Sequence, residues 1–120
     1  MSVMSTTNLT LSIAKEFSET PGARYISDGD YSGELFYNTI LKPAFETVLN
    51  SNKKLIIDLD GTQGYATSFL DEAFGRLSQE FSERKVLEKV DFISTEEPYL
   101  KNEIKEYINE ALSGRYSNAS

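Results

Sequence analysis

The hydrophobic positions of the chain change their period several times, and each period predicts a different element. Leu9, Leu11 and Ile13 alternate with polar or small residues, which predicts a first strand. A turn at Pro21-Gly22 follows, and residues 24–26 predict a short second strand. The chain therefore opens with two strands that we expect to form an antiparallel edge.

A helical period replaces this alternation after Ser32, which is the predicted N-cap. Pro43 falls within the helical segment and predicts a kink or a split near residues 41–42. The apolar stripe of this helix consists of Leu35, Phe36, Ile40, Leu41, Ala44, Phe45, Val48 and Leu49.

Two further strands and two further helices are predicted downstream. Residues 55–59 form a compact apolar run, which predicts a central strand buried on both faces. A helix is predicted from Ser68, and residues 90–93 predict the last strand. The final helix opens near Pro98 and is predicted to end at Gly114. The order β-β-α-β-α-β-α favours an α/β domain with partly parallel pairing.

Length and composition limit the possible functions. The 120 residues indicate one domain, which we place at 9–114 with flexible ends at 1–8 and 115–120. Cysteine and histidine are absent, which excludes disulfides, thiol and imidazole catalysis, and most zinc or copper sites. The net charge of -7 argues against nucleic-acid binding and suits a basic protein partner. No apolar run has transmembrane length and the N-terminus has no signal-peptide pattern, so we expect a cytoplasmic protein without membrane contact.

The segment LIIDLDGT, residues 55–62, resembles the nucleophile motif of haloacid-dehalogenase-type phosphatases. In such an enzyme Asp58 would take the phosphoryl group and Asp60 would act as acid and base, next to a bound Mg²⁺. The metal also requires a later acidic pair, and the remaining chain offers no strand to carry it. We therefore expect these carboxylates to cap a strand or bind loop amides. A Mg²⁺-dependent aspartyl phosphatase is kept as the remote alternative, and the prediction is that the protein is not an enzyme.

The polar segment before the first long helix offers two more candidates. DGDYSG, residues 28–33, fits the first positions of a calcium loop, but Thr39 stands where a bidentate Glu is required. An ordinary turn leading into a helix cap is therefore expected. Arg24 and Asp28 could belong to a second recognition surface, or to an internal Arg–carboxylate contact that holds the first hairpin to the sheet; we favour the internal contact.

The start of the helix after the central strand carries the third candidate. Ser68 followed by Asp71 has the form of a capping box, so Ser68 is the predicted N-cap and Thr67 the neighbouring hydroxyl. A phosphoryl group on Ser68 would add a charge of about -1.5 to -2, which Asp71 and Glu72 would oppose. Two interpretations stay open: Ser68 only caps the helix, or it accepts a phosphoryl group.

Residues 55–77 resemble the central strand, loop and helix of STAS domains, which include the anti-sigma factor antagonists. Aligned without a gap, Thr67 stands at the first Ser of the family motif and Ser68 at its phosphorylated hydroxyl. Ala66 stands where that family has Asp, and Phe69 where it has Gly. Two of the four motif residues therefore differ.

The chain as a whole resembles a bacterial family of STAS-like domains of unknown function, on residues 17–36 and 56–75. The resemblance covers about residues 9–112. It implies an α/β, STAS-like single domain with a mixed four-stranded sheet and three helices packed mainly on one face. It brings no enzymatic activity and no cofactor. Members tend to accompany histidine-kinase-type ATPases, so a regulatory module that binds a GHKL-type ATPase or kinase, or an anti-sigma-type factor, is implied.

This resemblance places the docking surface on the loop and helix start at 61–72. Ser68 is the implied phosphoacceptor, with Thr67 as the second candidate. The alternative is an interaction module without phosphorylation, in which Ser68 is only a helix cap. The candidate partner-binding residues are Gly61, Thr62, Gly64, Tyr65, Asp71 and Glu72.

Overall fold

The computed structural model describes residues 8–111, and its framework is a sheet of three parallel strands in the order β1-β2-β3. The strands are β1 (Leu9–Ser12), β2 (Leu55–Asp58) and β3 (Val90–Ile93). Five helices accompany them in the described part of the chain: α1 (Ile13–Glu16), α2 (33–49), α3 (67–81), α4 (Glu83–Lys89) and α5 (Leu100–Asn109).

In the part of the chain that the structure describes, helices cover one face of the sheet only. Leu11, Ile57 and Phe92 pair in one row across the three strands and are all buried. Ile56 and Asp91 share the neighbouring row, and their side chains are half-buried and exposed. The prediction of a central strand buried on both faces was therefore wrong. Right-handed crossovers that step in one direction, from β1 to β2 to β3, place their helices on the same face, so none of the described helices lies over the opposite face.

The predicted second strand does not form. Residues 24–26 make no ladder, and Ile26–Asp28 is a turn of 3₁₀-helix. The backbone N–H of Tyr25 donates to the Asp28 carboxylate at 3.2 Å, and that of Ile26 donates to the Glu34 carboxylate at 2.9 Å. Two nearby carboxylates thus accept the backbone N–H groups that would otherwise donate to a neighbouring strand. Within residues 8–111 the sheet has three parallel strands instead of four mixed ones, and there are five helices instead of three.

The first long helix, α2, begins as the sequence predicts, because the Ser32 hydroxyl accepts the N–H of Leu35 at 3.0 Å. It continues through a π turn at Tyr37–Leu41 into Lys42–Leu49. Proline lacks the N–H of a regular helix and its ring collides with the carbonyl four residues earlier. The wider π turn lies just before Pro43 and the helix continues through it, so the split predicted near residues 41–42 does not occur.

The core lies between the covered face of the sheet and the helices. Its largest fully buried side chains include Phe36, Tyr37, Phe45, Phe69 and Phe74. No helix within residues 8–111 has the length and apolar character needed to cross a membrane.

The predicted ends of the domain fall mostly outside the described residues. This applies to the flexible ends at 1–8, apart from residue 8, and at 115–120, and also to Gly114. Helix α5 ends at Asn109, ahead of the predicted end at Gly114.

Candidate functional site

The candidate site is the loop that follows β2, together with the first turn of α3. The carboxyl ends of parallel strands meet at one edge of a sheet, so this loop lies beside the segments after β1 and β3. The Gln63 N–H donates to the Glu19 carbonyl at 2.7 Å, on the β1 side. The Gly61 N–H donates to the Glu96 carboxylate at 3.0 Å, on the β3 side. The loop is therefore anchored on both sides.

Asp58 and Asp60 are engaged by backbone amides. Asp60 accepts the N–H groups of Thr95 at 3.1 Å and Glu96 at 3.0 Å, and Asp58 accepts the N–H of Asp60 at 3.0 Å. The hydrogen bonds from Glu96 and Thr95 lower the pKa of Asp60, because they stabilise the charged form. The prediction that both carboxylates bind backbone amides of loops is confirmed.

The contact between Asp60 and the segment after β3 leads to a pH-dependent prediction. The lowered pKa means that the hydrogen bonds are present at neutral pH and are lost as the pH falls through the folded-state pKa, below the ordinary value of 3.8. Asp60→Ala should therefore lower the protection factors of the Thr95 and Glu96 amides near neutral pH, and these factors should no longer fall further in acid. Asp91→Ala, on the open sheet face, is the control and should leave both amides protected. Unchanged exchange in Asp60→Ala would contradict the assignment.

Tyr65 fixes the second half of the loop. Its hydroxyl donates to the Leu59 carbonyl at 2.8 Å, and its ring centroid lies 6.0 Å from that of Phe69. Burial raises the pKa of Tyr65, so the phenol stays protonated and keeps its donor role. Tyr65 therefore links the end of β2 to the first turn of α3.

Two glycines and a threonine give the loop its shape. Gly61 and Gly64 have φ angles of 95° and 129°, in the left-handed region that favours glycine. The Thr62 hydroxyl accepts the N–H of Gly64 at 3.2 Å. The predicted partner-binding residues Gly61, Thr62, Gly64 and Tyr65 thus lie together on one ordered loop.

Helix α3 begins one residue before Ser68. Ala66 is the N-cap and has the extended backbone of a cap, with φ -72° and ψ 140°. Its side chain has no acceptor, and the Phe69 N–H donates to the Ala66 carbonyl at 3.0 Å. The predicted capping box of Ser68 and Asp71 was wrong, because the backbone leaves the extended region before Ser68. Thr67 is exposed and Ser68 is half-buried in the first turn.

An acceptor at the cap position should stabilise the domain. Ala66→Asp is expected to raise the free energy of unfolding by about 1 kcal/mol, because its carboxylate can accept N–H groups of the first turn. Ser68→Ala removes no cap and should change it by less than about 0.5 kcal/mol. Urea denaturation of the two variants measures both values. If Ser68→Ala instead lowers the free energy of unfolding by about 1 kcal/mol, the assignment of Ala66 as the N-cap is wrong.

Asp71 and Glu72 point into the protein. They are 4% and 1% exposed, so a partner on the surface cannot contact their carboxylates directly. Arg24 bridges them: Nη2 lies 3.1 Å from Asp71 Oδ2, and Nη1 lies 3.3 Å from Glu72 Oε1. Arg76 Nε donates to Glu72 Oε2 at 2.9 Å. Two arginines thus offset the free-energy cost of burying these two carboxylates, which belong to predicted partner-binding residues.

The expected internal Arg–carboxylate contact exists, but with different partners. Arg24 binds the second long helix and not Asp28, which accepts the N–H of Tyr25 instead. Burial by itself would lower the pKa of Arg24, but hydrogen bonds and charge from Asp71 and then Glu72 together outweigh it, so the pKa is raised. Arg24 therefore holds the loop before α2 against α3.

Thr95 and Glu96 were not among the predicted docking residues, and Thr95 was considered only as a hydroxyl of the phosphatase alternative. The available signal was their position directly after the predicted strand at 90–93. Parallel pairing of that strand with the central strand brings the segment after it to the loop at 61–67.

The comparisons with known proteins bear on this whole arrangement. The model of one protein family, described as a STAS-like domain of unknown function, matches residues 32–100. The match runs from the cap of α2 through the candidate loop to the start of α5. Neither a curated protein nor a solved structure gave a match. The matched residues make up more than half of the chain, and the protein belongs to the family of STAS-like domains of unknown function.

Proposed function

We propose that this protein is a non-enzymatic, cytoplasmic regulatory module that acts by protein–protein contact. Its docking surface is the loop at 61–67 with the first turn of α3, and its partner is a GHKL-type ATPase or kinase, or an anti-sigma-type factor. The observation that carries the proposal is the anchored loop with hydroxyl groups at its end: Thr67 is exposed and Ser68 half-buried. The engagement of Asp58 and Asp60 by loop amides supports a non-catalytic role.

The proposed switch is phosphorylation of Ser68, with Thr67 as the second candidate acceptor. An α-helix turns by about 100° per residue, so Ser68 lies between Asp71 and Glu72 on the circumference of the helix, one turn earlier. Arg24 bridges those two carboxylates, and a phosphate on Ser68 would stand on the side of α3 that Arg24 covers. The repulsion expected from Asp71 and Glu72 is therefore reduced, because both are already ion-paired.

Phosphorylation would act on a partner through bulk and charge. The group adds about -1.5 to -2 charges at the first turn of the helix, which the positive end of the helix dipole tolerates. A protein packed on the loop at 61–67 would meet both the added volume and the added charge. The unphosphorylated form is therefore the binding form, and phosphorylation releases the partner.

The test combines a phosphorylation assay with binding to the same partner. The protein is incubated with its kinase and ATP, and the modified site is mapped by mass spectrometry. We expect one phosphate on Ser68, binding retained in Ser68→Ala, and binding weakened at least about tenfold in Ser68→Glu. Thr47→Glu adds the same charge on the exposed side of α2 and should bind normally. A single phosphate on Thr67 would move the switch to that residue.

An interaction module without phosphorylation is the second candidate. It is favoured by Ala66 and Phe69, which replace the Asp and Gly of the related phosphorylated motif. In this case Ser68→Ala and Ser68→Glu bind the partner equally well and no phosphate is found. The docking surface is then the same, but the partner is not released by modification.

A further inference from the structure

The tip of the loop between α1 and α2, residues 25–31, is a cluster of exposed apolar side chains. All of these residues are exposed. Seven large hydrophobic side chains are exposed among residues 8–111, and three of them belong to this loop tip: Tyr25 at 45%, Ile26 at 50% and Tyr31 at 45%. Clustered exposure of this kind is typical of an interaction surface, whereas single exposed apolar residues are ordinary.

The loop tip is ordered by contacts at its ends and within it. The Gly22 N–H donates to the Tyr31 carbonyl at 3.1 Å, which closes the base of the loop. The Asp28 N–H donates to the Tyr25 carbonyl at 2.8 Å. Arg24, at the base, is fixed by its two carboxylate partners on α3. A preordered loop loses less conformational entropy when it binds, so its exposed side chains are well placed for recognition.

The charge of the loop tip defines the chemistry that fits it. Asp28 and Asp30 are its only charged residues, and they stand among the two tyrosines and Ile26. Arginine side chains contact tyrosine faces favourably and bind carboxylates with two parallel N–H donors. The chain itself has a net charge of -7, so a basic segment is also attracted over longer range.

We propose that the loop tip is a second docking surface, which binds a basic, amphipathic segment of a protein partner. Arginine side chains of that segment contact the rings of Tyr25 and Tyr31 and the carboxylates of Asp28 and Asp30, and its apolar side chains cover Ile26. This surface consists of other residues than the loop at 61–67 and needs no phosphorylation. It goes beyond the proposed function in assigning a chemical character to the partner.

The test uses the full chain and a short synthetic peptide of alternating Arg and Leu, with a Glu/Leu peptide of equal length as the control probe. Amide chemical shifts should change mainly at 25–31, and only with the basic peptide. Tyr25→Ser with Ile26→Ser should weaken binding by about tenfold. Asp28→Asn with Asp30→Asn should do the same. The amide oxygen that replaces the carboxylate at position 28 can still accept the Tyr25 N–H, so the loop keeps its shape.

Matched variants distinguish specific binding at the loop tip from general electrostatic attraction of the basic peptide to an acidic protein. Glu46→Gln with Glu106→Gln removes the same charge at exposed positions elsewhere, and Leu87→Ser removes an apolar side chain that is 39% exposed. Both controls should keep the affinity within about twofold. The proposal is overturned if shifts spread over the whole surface, if the two peptides bind equally, or if the Glu46 and Glu106 pair weakens binding as much as the Asp28 and Asp30 pair.

Discussion

Arg24→Gln is expected to lower the free energy of unfolding by about 3 kcal/mol, because it leaves buried carboxylates without their bridging cation. Asp71 and Glu72 are 4% and 1% exposed, and Arg24 contacts one oxygen of each. Arg76 continues to bind Glu72, so we expect most of the loss to come from Asp71, which no longer has the positive charge of Arg24 beside it. Urea denaturation at neutral pH measures the loss.

An exposed ion pair elsewhere in the protein provides the matched control. Arg84 and Glu88 approach to 3.8 Å, but their side chains are 85% and 66% exposed. Arg84→Gln should therefore cost less than about 1 kcal/mol, because water screens the pair and solvates the remaining charge. If Arg24→Gln costs no more than Arg84→Gln, the bridging role of Arg24 is wrong.

A double-mutant cycle identifies the charge that Arg24 compensates. Asp71→Asn removes the negative charge but keeps the size of the side chain, so the loss caused by Arg24→Gln should be smaller in that background. Losses that simply add would mean that the two side chains do not act as a pair. Arg24→Gln should also increase hydrogen exchange in the loop tip at 25–31, because Arg24 anchors its base on α3.

Local periodicity predicts the elements that bury one face. The strands at Leu55–Asp58 and Val90–Ile93 and the apolar stripe of α2 appear where the spacing of hydrophobic residues places them. Each of these signals lies within a few consecutive residues, so no knowledge of the rest of the fold is needed. The N-cap role of Ser32 belongs to the same class, because the cap and its N–H donor are three residues apart.

Two of the failed predictions concern strands, and both failed because of contacts that the apolar pattern alone does not show. Residues 24–26 have a strand-like composition, but Asp28 and Glu34 bind the backbone donors first. The run at 55–59 is apolar except for Asp58, yet among residues 8–111 helices cover it on one face only, because crossover direction decides where helices pack. Local composition limits the conformations that a segment can adopt, and contacts with the rest of the protein determine which of them forms.

In the candidate site, too, some features follow from the local sequence and others depend on distant contacts. The loop after the central strand and its hydroxyl residues follow from the resemblance and the strand–helix order. The inward orientation of Asp71 and Glu72 does not follow from sequence, because Arg24 lies 47 and 48 residues away along the chain. That contact joins the two sequence stretches that carry the resemblance, residues 17–36 and 56–75, into one structural unit.

Gly33→Ala is expected to lower the free energy of unfolding by about 2 kcal/mol, through overpacking between the starts of α2 and α3. A Cβ atom at residue 33 would lie 2.5 Å from the carbonyl oxygen of Phe69 and 3.1 Å from Cβ of Glu72. The first of these atoms belongs to the backbone of α3, so no change of rotamer can relieve the contact and the two helices must separate. Thermal or urea denaturation measures the loss, and Gly33→Val should cost more.

Gly22→Ala is the control for this effect. A Cβ atom there would lie 3.9 Å from the Thr20 carbonyl oxygen, an ordinary contact, so stability should be unchanged or raised by about 0.4–1 kcal/mol. Amide chemical shifts in Gly33→Ala should change at residues 66–72, because the displaced backbone carries Ser68 and the first turn of α3. If Gly33→Ala is as stable as Gly22→Ala, α2 can move away from Phe69 freely, and its start does not position the proposed docking surface.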